Sequence, residues 1–405
     1  MASEPVPPAV SSLPAVSLVR VAYLSYDGAL DPLGSSQVIP YLEGLSKRGV
    51  RFDLITFEKP ARMRDSRRFE SMSARLAAAG ITWHPLRYHK SPRTPSTVFD
   101  ICRGAWLLRR LWGKSGFHIL HCRGEITPVM VRLSGVTGPL LLDMRGFFAD
   151  ERVDAGSWAP RGALDRGVRA LERGNLRRAA LVVVLTERAR ESLRSRGVSL
   201  PIEVIPTCVD TLKFTVPAGP ARTNFDLVYF GSLGGWYMTE DMVGFIEVLG
   251  RAGHRLRALF LTNNLEPEQR RRIEAVGASV QTATPEEVPG WLAQCRATFF
   301  FIRATPSKMA SCPTKLAEAL AMGLPVLTGP GVGDVDQILA EERVGVVLAD
   351  YSPESLVQGW RLMLELMADP GTAARCKRVA ASRLSLDRAL ETYHRVYTHL
   401  FEVRG

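Results

Sequence analysis

Between Ser311 and Gly329 the chain reads SCPTKLAEALAMGLPVLTG. A polar, proline-marked turn opens a short apolar helical pattern that holds one lysine, Lys315, and one glutamate, Glu318. Thr314 and its neighbours would supply hydroxyls and free N–H groups at a helix start, where the positive end of the helix dipole suits a phosphate. Lys315 in the first turn would add a full charge to the same anion. Glu318, three residues on, shares its helix face, and a carboxylate that accepts two hydrogen bonds suits the vicinal hydroxyls of a ribose. Phosphate donors and a diol acceptor one turn apart describe a nucleotide site. Spacing alone describes an i,i+3 surface ion pair equally well.

A second concentration of chemistry follows an apolar run in LLLDMRGFFADERVDAGSW, with Asp143, Arg145, Asp150, Glu151 and Arg152. Arg145, or Arg123 in the preceding HCRGE, could hold a phosphate, while Asp143 or Glu151 could bind sugar hydroxyls or move a proton. The other reading of the cluster is an ion-pair network bracing a loop. In GSLGGWY, Gly231 and Ser232 begin a loop whose glycines permit close approach to a ligand and whose aromatics could cover one; a tight strand–helix turn would use the same glycines. GPGVGDVD, from Gly329 to Asp336, lacks the third glycine of a dinucleotide fingerprint, and its Asp334-Val335-Asp336 is too short a pattern to establish a metal site.

The stretch TVFDICRGAWLLRRLWGK interleaves Trp106 and Trp112 with Arg103, Arg109, Arg110 and Lys114. A basic amphipathic helix of this kind can lie on an anionic bilayer, or its tryptophans can be core and its arginines solvated. The first 200 residues carry 31 of the 52 Lys and Arg but only 18 of the 41 Asp and Glu. That asymmetry points the first half towards an anionic partner, although bulk charge alone gives no case for nucleic acid.

These residues need a scaffold, and the hydrophobic pattern supplies one. Short β-branched runs at residues 20–25, 52–56, 81–85, 118–122, 140–144, 181–185 and 202–205 alternate with helical segments, including a helix over 38–47 entered by a loop through Gly34 to Gln37. After a Pro/Gly-rich stretch at 215–224 the alternation restarts, with strands over 226–230, 256–261, 297–302, 324–328 and 344–348. Such alternation predicts two α/β domains, each a doubly wound, largely parallel sheet, with ligands at the carboxyl ends of the strands and in the cleft between domains. The expected division is a disordered tail over 1–19, a first domain over 20–208 and a second over 209–387. No apolar run approaches the ~20 residues of a membrane helix. Six cysteines without metal or disulfide spacing fit a reducing, cytoplasmic compartment.

Together the motifs resemble glycosyltransferase family 4, the retaining, sugar-nucleotide-dependent enzymes of the GT-B fold. The likeness runs through DGALDPLGSSQVIPYLEGL, HCRGE, DMRGFFADERVDAGSW, VIPTCVDTLKF, VYFGSLGGWY and PTKLAEALAMGLPV, in family order. It implies two Rossmann-like domains facing a cleft, a nucleotide-diphosphate sugar as donor on the second, and a lipid-linked or polysaccharide-precursor acceptor on the first. It implies no metal cofactor. Glu318 then matches the residue that holds the donor ribose, and Lys315 with Arg303 would neutralise the diphosphate. Gly34 and the amides of Ser35 and Ser36 match the first-domain loop near the phosphates, and Arg123 and Arg145 stand where many members have histidines. The last helix, about 388–405, would cross back to the first domain. Two positions depart from the family. Ala310 replaces the first glutamate of Glu-x7-Glu, and GSLGGWY has no basic residue where many members have Arg and Lys. A non-catalytic sugar-nucleotide-binding partner or a GT-B epimerase therefore stays open.

Overall fold

The computed structural model describes residues 19–216 and 224–403. Residues 1–18 of the expected tail, and residues 217–223 of the Pro/Gly-rich stretch, lie outside the described residues. Two all-parallel sheets organise the rest. The first is built from β1 (Arg20–Ser25), β2 (Arg51–Glu58), β3 (Thr82–Arg87), β4 (Ile119–Arg123), β5 (Leu140–Asp143), β6 (Leu181–Val184) and β7 (Ile202–Val204), in the order β3-β2-β1-β4-β5-β6-β7. The second contains β8 (Phe225–Phe230), β9 (Ala258–Leu261), β10 (Ser279–Gln281), β11 (Cys295–Phe300), β12 (Val326–Thr328) and β13 (Gly345–Val347), in the order β10-β9-β8-β11-β12-β13. β4, β5 and β6 are buried along their whole length, as strands covered by helices on both faces must be. In each sheet the order reverses at the first strand, so β1 and β8 mark the switch points beyond whose carboxyl ends ligands bind.

Two elements differ from the sequence expectation in ways that matter. The chain around Gly34 is not a loop: Pro32–Gln37 is helical. Pro32, fixed in φ, opens the turn, and Gly34 lies so close to Gly28 that a Cβ there would sit 1.9 Å from the Gly28 carbonyl oxygen. The basic helix is longer than expected, Arg93–Ser115, and it sorts its tryptophans. Trp106 is 62% exposed, but Trp112 is half-buried against the first-domain core, 5.9 Å from the Phe117 ring. Trp112 is therefore a packing residue and not part of a surface that could meet a membrane.

The C-terminal helix, Leu386–Glu402, buries Ala389, Leu390, Tyr393, Val396, Tyr397 and Leu400 on one stripe. Their spacing of three and four residues is that of an amphipathic helix. The stripe packs into the first-domain cluster with Tyr41, Leu42, Phe52 and Ile119, so the end of the chain crosses back from the second domain. Among the described residues no helix is long and apolar enough to cross a membrane.

Candidate active site

Lys315 and Glu318 lie on the Thr314–Ala321 helix, which buries Leu316, Ala317, Ala319, Leu320 and Ala321 in the second-domain core. Lys315 is not a solvated surface residue. Its ammonium sits 3.8 Å from the Tyr237 ring centroid and 5.3 Å from that of Tyr229, a cation–π arrangement that holds a charge without neutralising it. The loop after β8 is shaped around it. Gly231 has φ +111°, and a Cβ there would lie 2.7 Å from Lys315 Nζ; the Tyr229 hydroxyl donates to the Ser232 carbonyl and ties the loop back.

Glu318 is half-buried, and among the described residues its carboxylate accepts no hydrogen bond. Desolvation pushes its carboxyl up to about 7, with Lys315 pulling the other way. Partial desolvation of a carboxylate costs free energy, and hydrogen bonds donated by a diol favour its charged form. Thr314 stands half-buried at the helix start, and Arg303 extends into solvent just beyond β11, where its backbone N–H donates to the Trp236 carbonyl at 2.9 Å.

Sequence reasoning missed Lys308. It lies on the single helical turn Pro306–Ala310, after β11, with its ammonium 3.9 Å from the Trp236 ring centroid. Trp236 and Tyr237 are neighbours, so the loop that has no basic residue of its own presents consecutive rings to two lysines.

On the first domain, Arg123, Asp143 and Arg145 do come together, but as a closed network. Asp143 is 1% exposed and is gripped by Arg145 at 3.2 Å and Arg123 at 3.3 Å. Burial alone would raise its pKa; Arg145, the His121 contact and Arg123 more than offset that and hold the carboxyl well below its usual range. Tyr23, Tyr41, Tyr393 and Tyr397 surround the cluster, and the Tyr397 hydroxyl meets His121 Nδ1 at 2.6 Å. Asp143 is thus an ion-pair brace under the C-terminal helix, which corrects its reading as a proton-transfer or sugar-binding group. Arg123 is equally covered, while Arg145 keeps some exposure at the edge of the network.

Glu151 takes a different place. With Asp154 it lies on the helix Phe148–Asp154 and faces the second domain. Glu151 Oε1 is 3.0 Å from Lys308 Nζ, and Asp154 Oδ2 accepts from the Ser307 N–H at 2.8 Å. The Ser35 amide does not reach towards a ligand, because it donates to the Asp31 carbonyl at 2.9 Å inside its own helical turn. Gly34 is a packing glycine there. Asp334 and Asp336 also have protein partners. Asp334 caps the first-domain helix Glu187–Ser195 through the Glu187 and Arg188 N–H groups, at 2.7 and 3.2 Å, and Asp336 accepts from the Gly331 N–H at 2.8 Å.

Ala310 explains its own identity. It is buried in the first-domain apolar cluster with Phe147, Val184 and Ala189, a seam where a carboxylate would be desolvated. A cavity of about 300 Å³ opens nearby, lined by Thr186, Cys208, Cys312, Leu316, Asp334 and Arg388. Its lining includes neither Lys315 nor Glu318.

Residues 37–208 match the family model described as a glycosyl transferase 4-like domain. No curated protein matches the chain. Among solved structures it is similar to sucrose-phosphate synthase from Thermosynechococcus elongatus, with TM-score 0.69 and 16% identity over 95% of this chain and 100% of that one. It is also similar to TarM, with TM-score 0.71 and 8% identity over 95% and 100%. HepE from Anabaena, in complex with UDP and glucose, gives TM-score 0.66 and 12% identity over 94% and 100%. At these identities the likeness is one of architecture, and the architecture is GT-B.

Proposed function

We propose that this chain is a glycosyltransferase that moves a sugar, with retention, from a nucleotide-diphosphate sugar to a lipid-linked or polysaccharide-precursor acceptor. The observation that carries the reading is one helix face at the carboxyl edge of the second sheet, where a ring-held lysine, Lys315, stands one turn from Glu318, a partly desolvated carboxylate that accepts no hydrogen bond among the described residues. The glycosyl transferase 4-like match on the first domain supports it. So does the presence of UDP-bound proteins, HepE among them, within the set of similar folds.

In this reading Glu318 holds the donor ribose. Lys315 and Arg303 stabilise the charge that develops on the departing diphosphate, the kind of electrostatic contribution that dominates such chemistry. The acceptor hydroxyl attacks from the face the diphosphate leaves and gives its proton to a phosphate oxygen. No protein nucleophile is needed, and Asp143 is already committed to its arginines. Closure of the cleft excludes water and suppresses hydrolysis. The charge on the diphosphate is met by side chains, so the reaction needs no metal.

A membrane-facing acceptor is favoured by the exposed side of the Arg93–Ser115 helix. Phe99 and Trp106 stand in solvent there with Arg103 and Arg110 stacked on them, at 5.8 and 5.5 Å from the ring centroids. Arg109 flanks them, and the one acidic residue of the helix, Asp100, is buried beneath it. Apolar rings set among arginines suit an anionic bilayer surface, which would place a cytoplasmic protein on the inner face of a membrane.

A thermal-shift screen across UDP-, GDP-, ADP- and TDP-sugars, followed by assay with the labelled sugar of the best binder, tests the activity. Binding with transfer or slow hydrolysis supports it. Binding without either makes the protein a sugar-nucleotide-binding partner, conversion of donor without acceptor makes it an epimerase, and no binding at all overturns the donor site. Failure to sediment with phosphatidylglycerol vesicles at low salt removes the membrane part alone.

A further inference from the structure

The turn Pro306–Ala310 is where the second domain meets the first, and Lys308 is its one charged residue. At 4% exposure the lysine is nearly enclosed, yet its ammonium is shared between Glu151 at 3.0 Å, the face of Trp236 at 3.9 Å and the Ser311 hydroxyl at 3.5 Å. An enclosed ammonium needs an anion beside it. Among the described residues the carboxylate within ion-pair distance is Glu151 of the other domain, with 32% of its side chain exposed, and Asp154 on the same helix adds a longer-range attraction. Trp236 adjoins Tyr237, which holds Lys315, so both ammonium groups are anchored to one loop.

We infer that Lys308 is a second cation for the donor diphosphate, and that Glu151 holds the place of the phosphate until the donor arrives. The inference rests on the donor reading above and adds to it a residue and an exchange. A phosphate oxygen takes the ammonium, and the Glu151 carboxylate is released into the cleft. No covalent bond changes. The domains need not part when this happens, because Asp154 keeps its hold on the Ser307 N–H and the Asp334 cap on the Glu187–Ser195 helix is untouched.

The exchange makes a prediction of sign that a simple interdomain brace does not. Calorimetric titration with UDP, GDP, ADP and dTDP identifies the nucleotide the native protein binds, and the same titration is repeated on three variants. Lys308→Met should weaken binding by about 10- to 100-fold, the loss of one charge-assisted hydrogen bond, and Lys308→Arg should restore most of it. Glu151→Gln should tighten binding several-fold, because the competing carboxylate is gone. If Lys308→Met and Glu151→Gln weaken binding together, or if neither changes it, Lys308 is a brace and the inference is overturned while the Lys315–Glu318 site stands. If none of the four nucleotides binds the native protein, both readings fall. Circular dichroism checks each variant, and should Lys308→Met not fold, the sign of the Glu151→Gln effect decides.

Discussion

Replacing Glu318 by glutamine should make the protein more stable and less able to bind its donor, and the structure sets the scale of both effects. Burial raises the Glu318 carboxyl from its ordinary 4.5 to about 7. Because the folded value lies above the unfolded one, this residue favours folding fully below pH 4.5 and loses that contribution as pH rises through 7. At pH 8 the ionised carboxylate then costs about 2–3 kcal/mol, allowing for its partial exposure, and at pH 5 under ~1 kcal/mol. Glutamine is neutral at both. Glu318→Gln should therefore raise the melting temperature at pH 8 by roughly 4–10 °C and leave it nearly unchanged at pH 5. Saturating the native protein with a nucleotide sugar should shrink its own loss of stability between those pH values, since ribose hydroxyls favour the carboxylate. A nucleotide sugar is the right ligand here, because a free diphosphate ends in a group that itself titrates near pH ~6. The same substitution should weaken nucleotide-sugar binding about 10- to 100-fold. Scanning fluorimetry at the two pH values and calorimetry at pH 8 make the measurement. A gain that is equal at pH 5 and pH 8, a loss at pH 8, or unchanged affinity would refute the assignment.

Gly231→Ala meets both a positive φ and the Lys315 ammonium; it should lower nucleotide-sugar affinity at least about tenfold by displacing the lysine, and calorimetry reads it. Asp334→Ala removes two N–H acceptors from a helix start in the other domain and should cost about 1–2 kcal/mol in denaturant unfolding, with a larger radius of gyration in solution scattering. Tyr397→Phe takes away the Nδ1 partner of His121, whose Nε2 has only the longer 3.6 Å contact to Asp143; a loss of about 1–3 kcal/mol is expected, seen as a lower denaturation midpoint. Ala310→Glu recreates the family's Glu-x7-Glu spacing inside an apolar seam, so it should destabilise by at least about 2 kcal/mol and raise turnover in the labelled-sugar assay not at all.

The sheets were legible because short β-branched strands and amphipathic helices differ in period, and the order of βα units then leaves little choice of topology. Lys315 and Glu318 were legible as a pair because one helix turn carries both. Their environment was not. That Lys315 stands against aromatic rings depends on a loop more than seventy residues upstream. The fate of Asp143 was settled further away still, by Tyr393 and Tyr397 on a helix that returns from the second domain and closes over the cluster. Trp112 could have been sorted correctly from the sequence. It falls one turn from Leu108 and two from Gly104, both on the buried side of the helix, while Trp106 does not. Lys308 had no such signal, being a lone lysine in an irregular turn whose partner, Glu151, lies 157 residues away in sequence.

The two departures from the pattern of the glycosyltransferase family that the sequence resembles answer each other. The turn after β11 ends with Met309 and Ala310 packed against the apolar side of the first domain, and that seam excludes a carboxylate at position 310. Two residues earlier the same turn carries a lysine, Lys308. The loop after β8 has no basic residue, but its Trp236 and Tyr237 hold the ammonium groups of Lys308 and Lys315. Positive charge that many members place on the loop is thereby supplied from the turn and the helix facing it, with the loop providing rings instead. A diphosphate entering between them would meet a cation count preserved by different residues. What changes on the proposed reading is the contact to the donor sugar, which loses the glutamate at position 310, while Lys308 and its releasable partner Glu151 face the diphosphate.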